Sequence, residues 1–238
     1  MSTYVYGIAR GSQPGLPEEM GGVGDPARPV RLLHQGELCA LVSDAPEDLR
    51  PKRRDLLAHQ NVLTEAGAGG VVLPIRFGSV STDDDAVRAV LDERQDHYLE
   101  RLKALDNKVE YNVKASHDEQ AVLHRVLADD PDLRALSEAN RAAGGGSYEQ
   151  KLALGERVVA AVKQREARDG VLIQQSLEDA AVEVCPGPES SGWLANISFL
   201  VERDRADEFV AAVDALGRAQ QHISLQVNGP LPPYSFVE

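Results

Sequence analysis

Six histidines, two cysteines and a run of three aspartates offer the most chemistry in this chain. A protein metal site needs donors that converge on one point. The closest histidines, His117 and His124, are seven residues apart with no Cys nearby. On a helix that is two turns, about 10 Å, too far to share one ion directly. His59 reads as a structural or surface histidine. Cys39 and Cys185 are too far apart for a Cys-x-x-Cys zinc or redox site and read as two buried, reduced thiols. Asp83-Asp84-Asp85 offers carboxylates to a hard cation. At a helix start such residues more often serve as caps and dipole partners, worth about 0.3–1 kcal/mol each. No Ser, His and Asp grouping has a local signature, and the P-loop, H-E-x-x-H and G-x-S-x-G strings do not occur. Neither catalysis, nor a metal, nor a cofactor is expected.

The remaining candidates concern contacts. Gly22-Val23-Gly24-Asp25-Pro26-Ala27 satisfies G-x-G-x-x-A as a string. Pro26 and Pro29 block the helix that a dinucleotide fingerprint requires. Arg76 and Phe77 sit at the end of an apolar strand, and a buried Arg needs a carboxylate or several carbonyls. Arg76 therefore reads as half of an interdomain ion pair or as a partner contact. Tyr4 and Tyr6 share one face of the first strand. In the tail, Gly229-Pro230-Leu231-Pro232-Pro233-Tyr234-Ser235-Phe236, the prolines favour an extended backbone that points Tyr234 and Phe236 the same way. The tail either plugs its own domain interface or offers a peptide surface. Asn196-Ile197-Ser198 matches a glycosylation sequon by chance, inside a strand.

The elements that must position these residues are legible in outline. Strands are predicted at Tyr4–Ala9, Val30–Gln35 and Leu38–Ser43, with a turn at Gln35-Gly36-Glu37 and a loop over Gly11–Pro29. A helix follows from Pro51 to about Ala66, ended by glycines. The strand within Gly70–Val80 contains Pro74, which suggests an edge or bulge. A helix capped at Thr82 buries Val87, Leu91, Tyr98, Leu102 and Leu105 and serves as the hinge between halves. Beyond it lie a strand at Val109–Ala115, helices opened by Ser116 and by Asp130-Pro131, and the run Gly144-Gly145-Gly146. A long helix from Tyr148 to Ala181 presents Leu152, Val159, Val162, Ile173 and Leu177, and is expected to kink near Gly170 or join a hairpin. Strands at Val182–Cys185 and Trp193–Val201 flank a turn at Pro186–Gly192. A helix at Asp204–Leu216 buries Phe209, Val213 and Leu216, and the last strand is Ile223–Val227.

The predicted fold class is α+β in two domains. Residues 1–106 form a modified ferredoxin-like sheet with helices. Residues 107–238 follow the split β-α-β order of a ferredoxin-like α+β domain, with an inserted long helical hairpin and a Pro-rich tail. The chain carries 25 basic and 38 acidic residues, a formal charge of −13, and only 5% aromatic residues. An acidic surface repels phosphate backbones and anionic headgroups, so neither nucleic acid nor a lipid membrane is an expected partner. No apolar run approaches the roughly 20 residues of a membrane span, and no signal-like N-terminus is present, so the expected location is the cytoplasm.

Several segments together resemble the GvpF/GvpL family of gas vesicle accessory proteins. They are Tyr4-Val5-Tyr6-Gly7-Ile8, the helix with His59, Val72-Leu73-Pro74-Ile75-Arg76-Phe77-Gly78, Val109-Glu110-Tyr111-Asn112-Val113-Lys114, the helix entered at Tyr148, and Asn228 to Phe236. Leu231 stands where an aromatic, often Trp, is expected. The resemblance implies a non-catalytic role in gas vesicle assembly and association with gas vesicles. It further implies binding to the small hydrophobic shell-forming subunit and to other gas vesicle accessory proteins. Tyr4, Tyr6, Arg76, Phe77, Tyr234 and Phe236 are the candidate partner or interdomain contacts. The alternative is a small-molecule-binding enzyme or sensor on ferredoxin-like domains, which requires a deep apolar pocket with convergent polar groups.

Overall fold

The computed structural model describes residues 2–17, 19–188 and 192–237. By internal contacts these fall into two units, residues 2–110, 202–204 and 229–237 in the first, and 111–201 and 205–228 in the second. The contiguous division at residue 106 differs from this grouping in one informative place. The Pro-rich tail groups with the first unit, because its buried side chains and its carboxylate cap are found there.

The first unit is built on β1 (Thr3–Arg10), β2 (Arg31–Gln35), β3 (Leu38–Asp44), β4 (Val72–Pro74) and β5 (Val80–Ser81). The sheet runs β2-β3-β1-β4, with β5 also on β1, and the pairings are antiparallel. β1 is central and mostly buried, with Tyr4, Tyr6 and Ala9 fully buried and Val5 partly so. Its register with β3 shifts between Val5 and Gly7. The strand expected over Gly70–Val80 is shorter than predicted. It ends at Pro74, on the edge strand, where a missing N–H costs no ladder bond. Ile75 still donates to the Tyr6 carbonyl at 2.9 Å, and Val5 to Ser79 at 3.0 Å, so the segment stays tied to β1.

Helix α1 (Arg53–Gly69) packs on β1 and β4 and buries His59, Val62, Leu63 and Ala66. It runs through Gly67 and Gly69, three residues beyond the predicted end. The segment read as one hinge helix is two, α2 (Asp84–Glu93) and α3 (Gln95–Ala104). The break is at Arg94, with φ −112° and ψ 20°. Both helices pack on the first sheet, α2 on β2 and β3, α3 on β1 and β4. The apolar face carries through the break, since Val87, Leu91, Leu102 and Leu105 are all buried. The cap is Asp83, whose side chain accepts from the Ala86 amide at 2.8 Å.

The second sheet has the order β7-β8-β6-β9, made by β6 (Lys108–His117), β7 (Glu183–Pro186), β8 (Ala195–Glu202) and β9 (Ile223–Leu231). In chain order that is fourth-first-third-second from the β9 end. The first sheet, read from β4, has the same order. Its first crossover is the loop between β1 and β2 instead of a helix. In the second sheet the crossover holds α4 (Glu119–Asp129), α5 (Pro131–Ala142) and α6 (Tyr148–Leu177), and α7 (Ala206–Ala219) links β8 to β9.

Two caps match the prediction closely. Asp130 accepts from the Leu133 amide, and Ser147 and Gln150 form a complete capping box. Gly144, Gly145 and Gly146 all have positive φ, which reverses the chain between α5 and α6 without a Cβ penalty. Ser116 is strand, and Asp118 caps α4 in its place. Helix α6 is continuous through Gly170, where an added Cβ would lie 3.4 Å from the Leu194 carbonyl. Of its predicted inward face, Ile173 and Leu177 are buried, whereas Leu152 and Val159 are exposed. The predicted turn at Pro186–Gly192 lies partly outside the described residues. No described helix is long and apolar enough to cross a membrane.

Candidate functional site

Three arrangements hold the chemistry-bearing side chains. The first is the aromatic centre of the first unit. Tyr4 and Tyr6 meet edge-on at 4.7 Å between ring centroids, and His59 stacks on Tyr6 at 5.5 Å. Phe77 packs against Tyr4 and His59, at 6.0 and 5.8 Å. His59 Nε2 lies 3.0 Å from the Ile75 carbonyl, so that nitrogen carries the proton. Nδ1 then accepts from the Tyr4 hydroxyl at 2.8 Å, and that oxygen accepts from the Gly78 amide at 3.2 Å. Burial lowers the His59 pKa against the opposing bond to Ile75, which keeps the ring neutral. Burial also raises both tyrosines, so neither offers a phenolate. This is a satisfied relay within a core.

The loop after β1 closes over the same centre. Val23 is fully buried and its amide donates to the Tyr6 hydroxyl at 2.9 Å. Gly24 donates to Asp55 at 2.9 Å. A Cβ at Gly22 would overlap the Tyr6 hydroxyl. The G-x-G string is therefore explained by close approach to a tyrosine, with no helix following it.

The tail is docked into the first unit. Glu110 accepts from the Ser235 amide and hydroxyl, both at 2.8 Å, and Arg101 donates to the Phe236 carbonyl. Phe236 is buried and Tyr234 packs on the aromatic core. Burial and the nearby Glu110 push the Tyr234 phenol up to about 12. Five of the six candidate contact residues, Tyr4, Tyr6, Phe77, Tyr234 and Phe236, are thus wholly or partly buried in the first unit. Arg76 is exposed, contrary to the buried arginine the apolar strand suggested, because the strand has ended before it.

The second arrangement is a groove formed where two separated motifs meet in the first unit. Leu63 lines it from α1, Val72 from β4 with Val71 just before it, and Val109, Pro230 and Leu231 from β6 and β9. Lys108 and Arg203 are also in the wall. Its volume is about 220 Å³. Small-molecule sites are usually about 300–1,000 Å³, so this one is scaled to side chains.

The third lies in the second unit. Asp169, 1% exposed, receives His117 Nε2 and His222 Nε2 at 2.8 Å each and Arg165 Nε at 2.9 Å. Burial raises the carboxyl, but the bonds from Arg165, His117 and His222 outweigh it and hold the group below its ordinary value. Sequence reasoning missed this cluster, having weighed His117 only with His124 and rejected those two as too far apart. The partner His222 is remote in sequence, and Asp169 looks like any charge on a helix. Of the Asp83–Asp85 run, Asp83 alone caps α2, whereas Asp84 accepts from Thr3 at 2.6 Å and from Arg31 at 2.9 Å, and Asp85 from Arg88 at 2.8 Å.

These features define an α+β protein of two antiparallel sheets whose polar side chains mostly tie core and tail together. The family described as Gas vesicle synthesis protein GvpL/GvpF matches residues 2–238, and the chain belongs to that family. It is 79% identical over 238 residues to gas vesicle protein F of Streptomyces sp. (strain CB03234), covering 100% of both chains. The crystal structure of the gas vesicle protein GvpF from Anabaena sp. PCC7120 superposes with a TM-score of 0.78 at 23% identity, over 100% of this chain and 98% of that one. That of GvpF from Microcystis aeruginosa gives 0.74 at 24%, over 100% and 99%. At those identities the two crystal structures bear on the fold alone. The chain is thus a gas vesicle protein with a role in gas vesicle assembly, from a family not known for enzymes.

Proposed function

We propose that the chain binds the small hydrophobic shell-forming subunit of the gas vesicle before assembly, without catalysis, and that the first-unit groove receives an apolar side chain or edge of that subunit. The observation that carries this reading is the convergence of Val71 and Val72 with Pro230 and Leu231 on one mainly apolar groove. A subunit that builds a water-excluding shell must expose apolar surface while free, and a chaperoning partner has to cover it. The displaced titratable groups, such as Tyr4, Tyr6, His59 and Asp169, lie in core networks and not in the groove. That favours a docking surface over the alternative of an enzyme or sensor pocket. Other gas vesicle accessory proteins are further partners in this reading, and the protein works in the cytoplasm at growing vesicles.

Leu231→Glu and Val71→Glu introduce charge into the groove at half-buried positions. In co-purification with the shell subunit, each full-length variant should recover at least about tenfold less, a loss near 1.4 kcal/mol, with an unchanged thermal midpoint. Undiminished recovery contradicts the groove. No recovery by the unaltered chain contradicts shell-subunit binding itself.

A further inference from the structure

The cluster around Asp169 draws on three elements of the second unit. His117 ends β6, Asp169 lies in α6, and His222 immediately precedes β9. The two Nε2 atoms and a carboxylate oxygen lie within 4.8 Å of one another. The side chains of His117 and His222 are only 7% and 6% exposed. Two imidazoles and one carboxylate converging from separate elements are a donor set suited to divalent transition ions.

Proton accounting shows that hydrogen bonds alone serve this cluster poorly. His222 Nε2 lies 2.8 Å from Asp169 Oδ2, which calls for a proton on that nitrogen. The same nitrogen lies 3.1 Å from Arg165 Nη2, a donor, which calls for a lone pair. One atom cannot satisfy both. His117 donates through Nε2, and its buried Nδ1 has no hydrogen-bond partner among the described residues. Arg165 meanwhile spans both oxygens of Asp169, at 3.0 and 2.9 Å, and reaches Asp129 at 2.9 Å. A cation therefore already stands where lone pairs of His222 and Asp169 converge. Asp129 is 44% exposed and also bonds Arg125 at 3.1 Å. It gives Arg165 an outer anchor if its inner contacts are released.

We propose that His117 Nε2, His222 Nε2 and Asp169 form a binding site for a divalent transition ion of the zinc class, the ion displacing the Arg165 guanidinium from Asp169. Ligands at about 2.0–2.1 Å in tetrahedral array stand roughly 3.3 Å apart. The present 2.8 Å separations then open by about half an ångström, and water or another small ligand takes the remaining position. Binding requires each ring to carry its proton on Nδ1, so that both Nε2 lone pairs face the dication and the conflict at His222 disappears.

The test uses the full chain without a histidine tag, stripped with chelator and titrated with Zn²⁺ by calorimetry and with Co²⁺ by visible absorption. One ion per chain should bind with micromolar affinity or better, with a Co²⁺ spectrum of low coordination number. His117→Gln and His222→Gln keep a hydrogen-bond donor for Asp169 but should each weaken binding at least about tenfold. Arg165→Met removes the competing cation and should tighten binding by about tenfold, from lost like-charge repulsion. Circular dichroism confirms that each variant is folded. Three results overturn the proposal: no stoichiometric uptake by the unaltered chain, uptake that both histidine variants leave unchanged, or affinity that stays level or falls in Arg165→Met.

Discussion

The His59 ring shows how single side chains hold the first unit together. Its two nitrogens are used once each, and its neighbours leave no room for a charge. Its folded pKa is depressed below 6.5, so between that value and its folded value the unfolded chain binds a proton the native chain refuses. Stability then rises with pH across that window and is lost as pH falls, at up to about 1.4 kcal/mol per pH unit. Asp169, also depressed, keeps its contribution until pH falls below its unfolded value near 3.8. Urea unfolding at several pH values between 8 and 5 should show the first slope, and His59→Gln should reduce it. An identical slope in the variant contradicts a neutral buried His59. None of this was readable from His59 alone, since its partners lie on β1 and beyond β4.

At the level of elements, boundaries set by local chemistry were legible and those set by packing were not. The Asp130-Pro131 start and the Ser147–Gln150 box are complete within four residues, so the sequence shows them whole. Arg94 carries no breaker signal, and an uninterrupted apolar face concealed the split between α2 and α3. The exposure of Leu152 and Val159 was equally hidden, because periodicity shows a face but not whether anything covers it. The first turns of α6 bury no side chain, so they depend on their cap more than the later turns do. Ser147→Ala should weaken that end by about 0.5–2 kcal/mol. Hydrogen exchange should accelerate at the amides of residues 148–152 while the global unfolding midpoint moves little. A shift of the global midpoint with unchanged local exchange contradicts that local role.

Over the whole molecule, the −13 charge is spread through both parts of the chain. Residues 1–106 hold 12 basic and 17 acidic residues, leaving 25 − 12 = 13 and 38 − 17 = 21 for the rest. Diffuse charge keeps a protein dispersed while recognition remains apolar or main-chain. The order of the second sheet followed from element types and spacing, whereas the groove depends on tertiary contact between segments more than 150 residues apart. No local pattern announces such a site. It is also where the account is most exposed to test. A photo-cross-linking side chain placed at Leu231 of the full chain, and separately at Leu152 on the exposed face of α6, should be irradiated with the shell subunit present. The account predicts an adduct with the subunit from position 231 and none from 152. An adduct from 152 alone would contradict it.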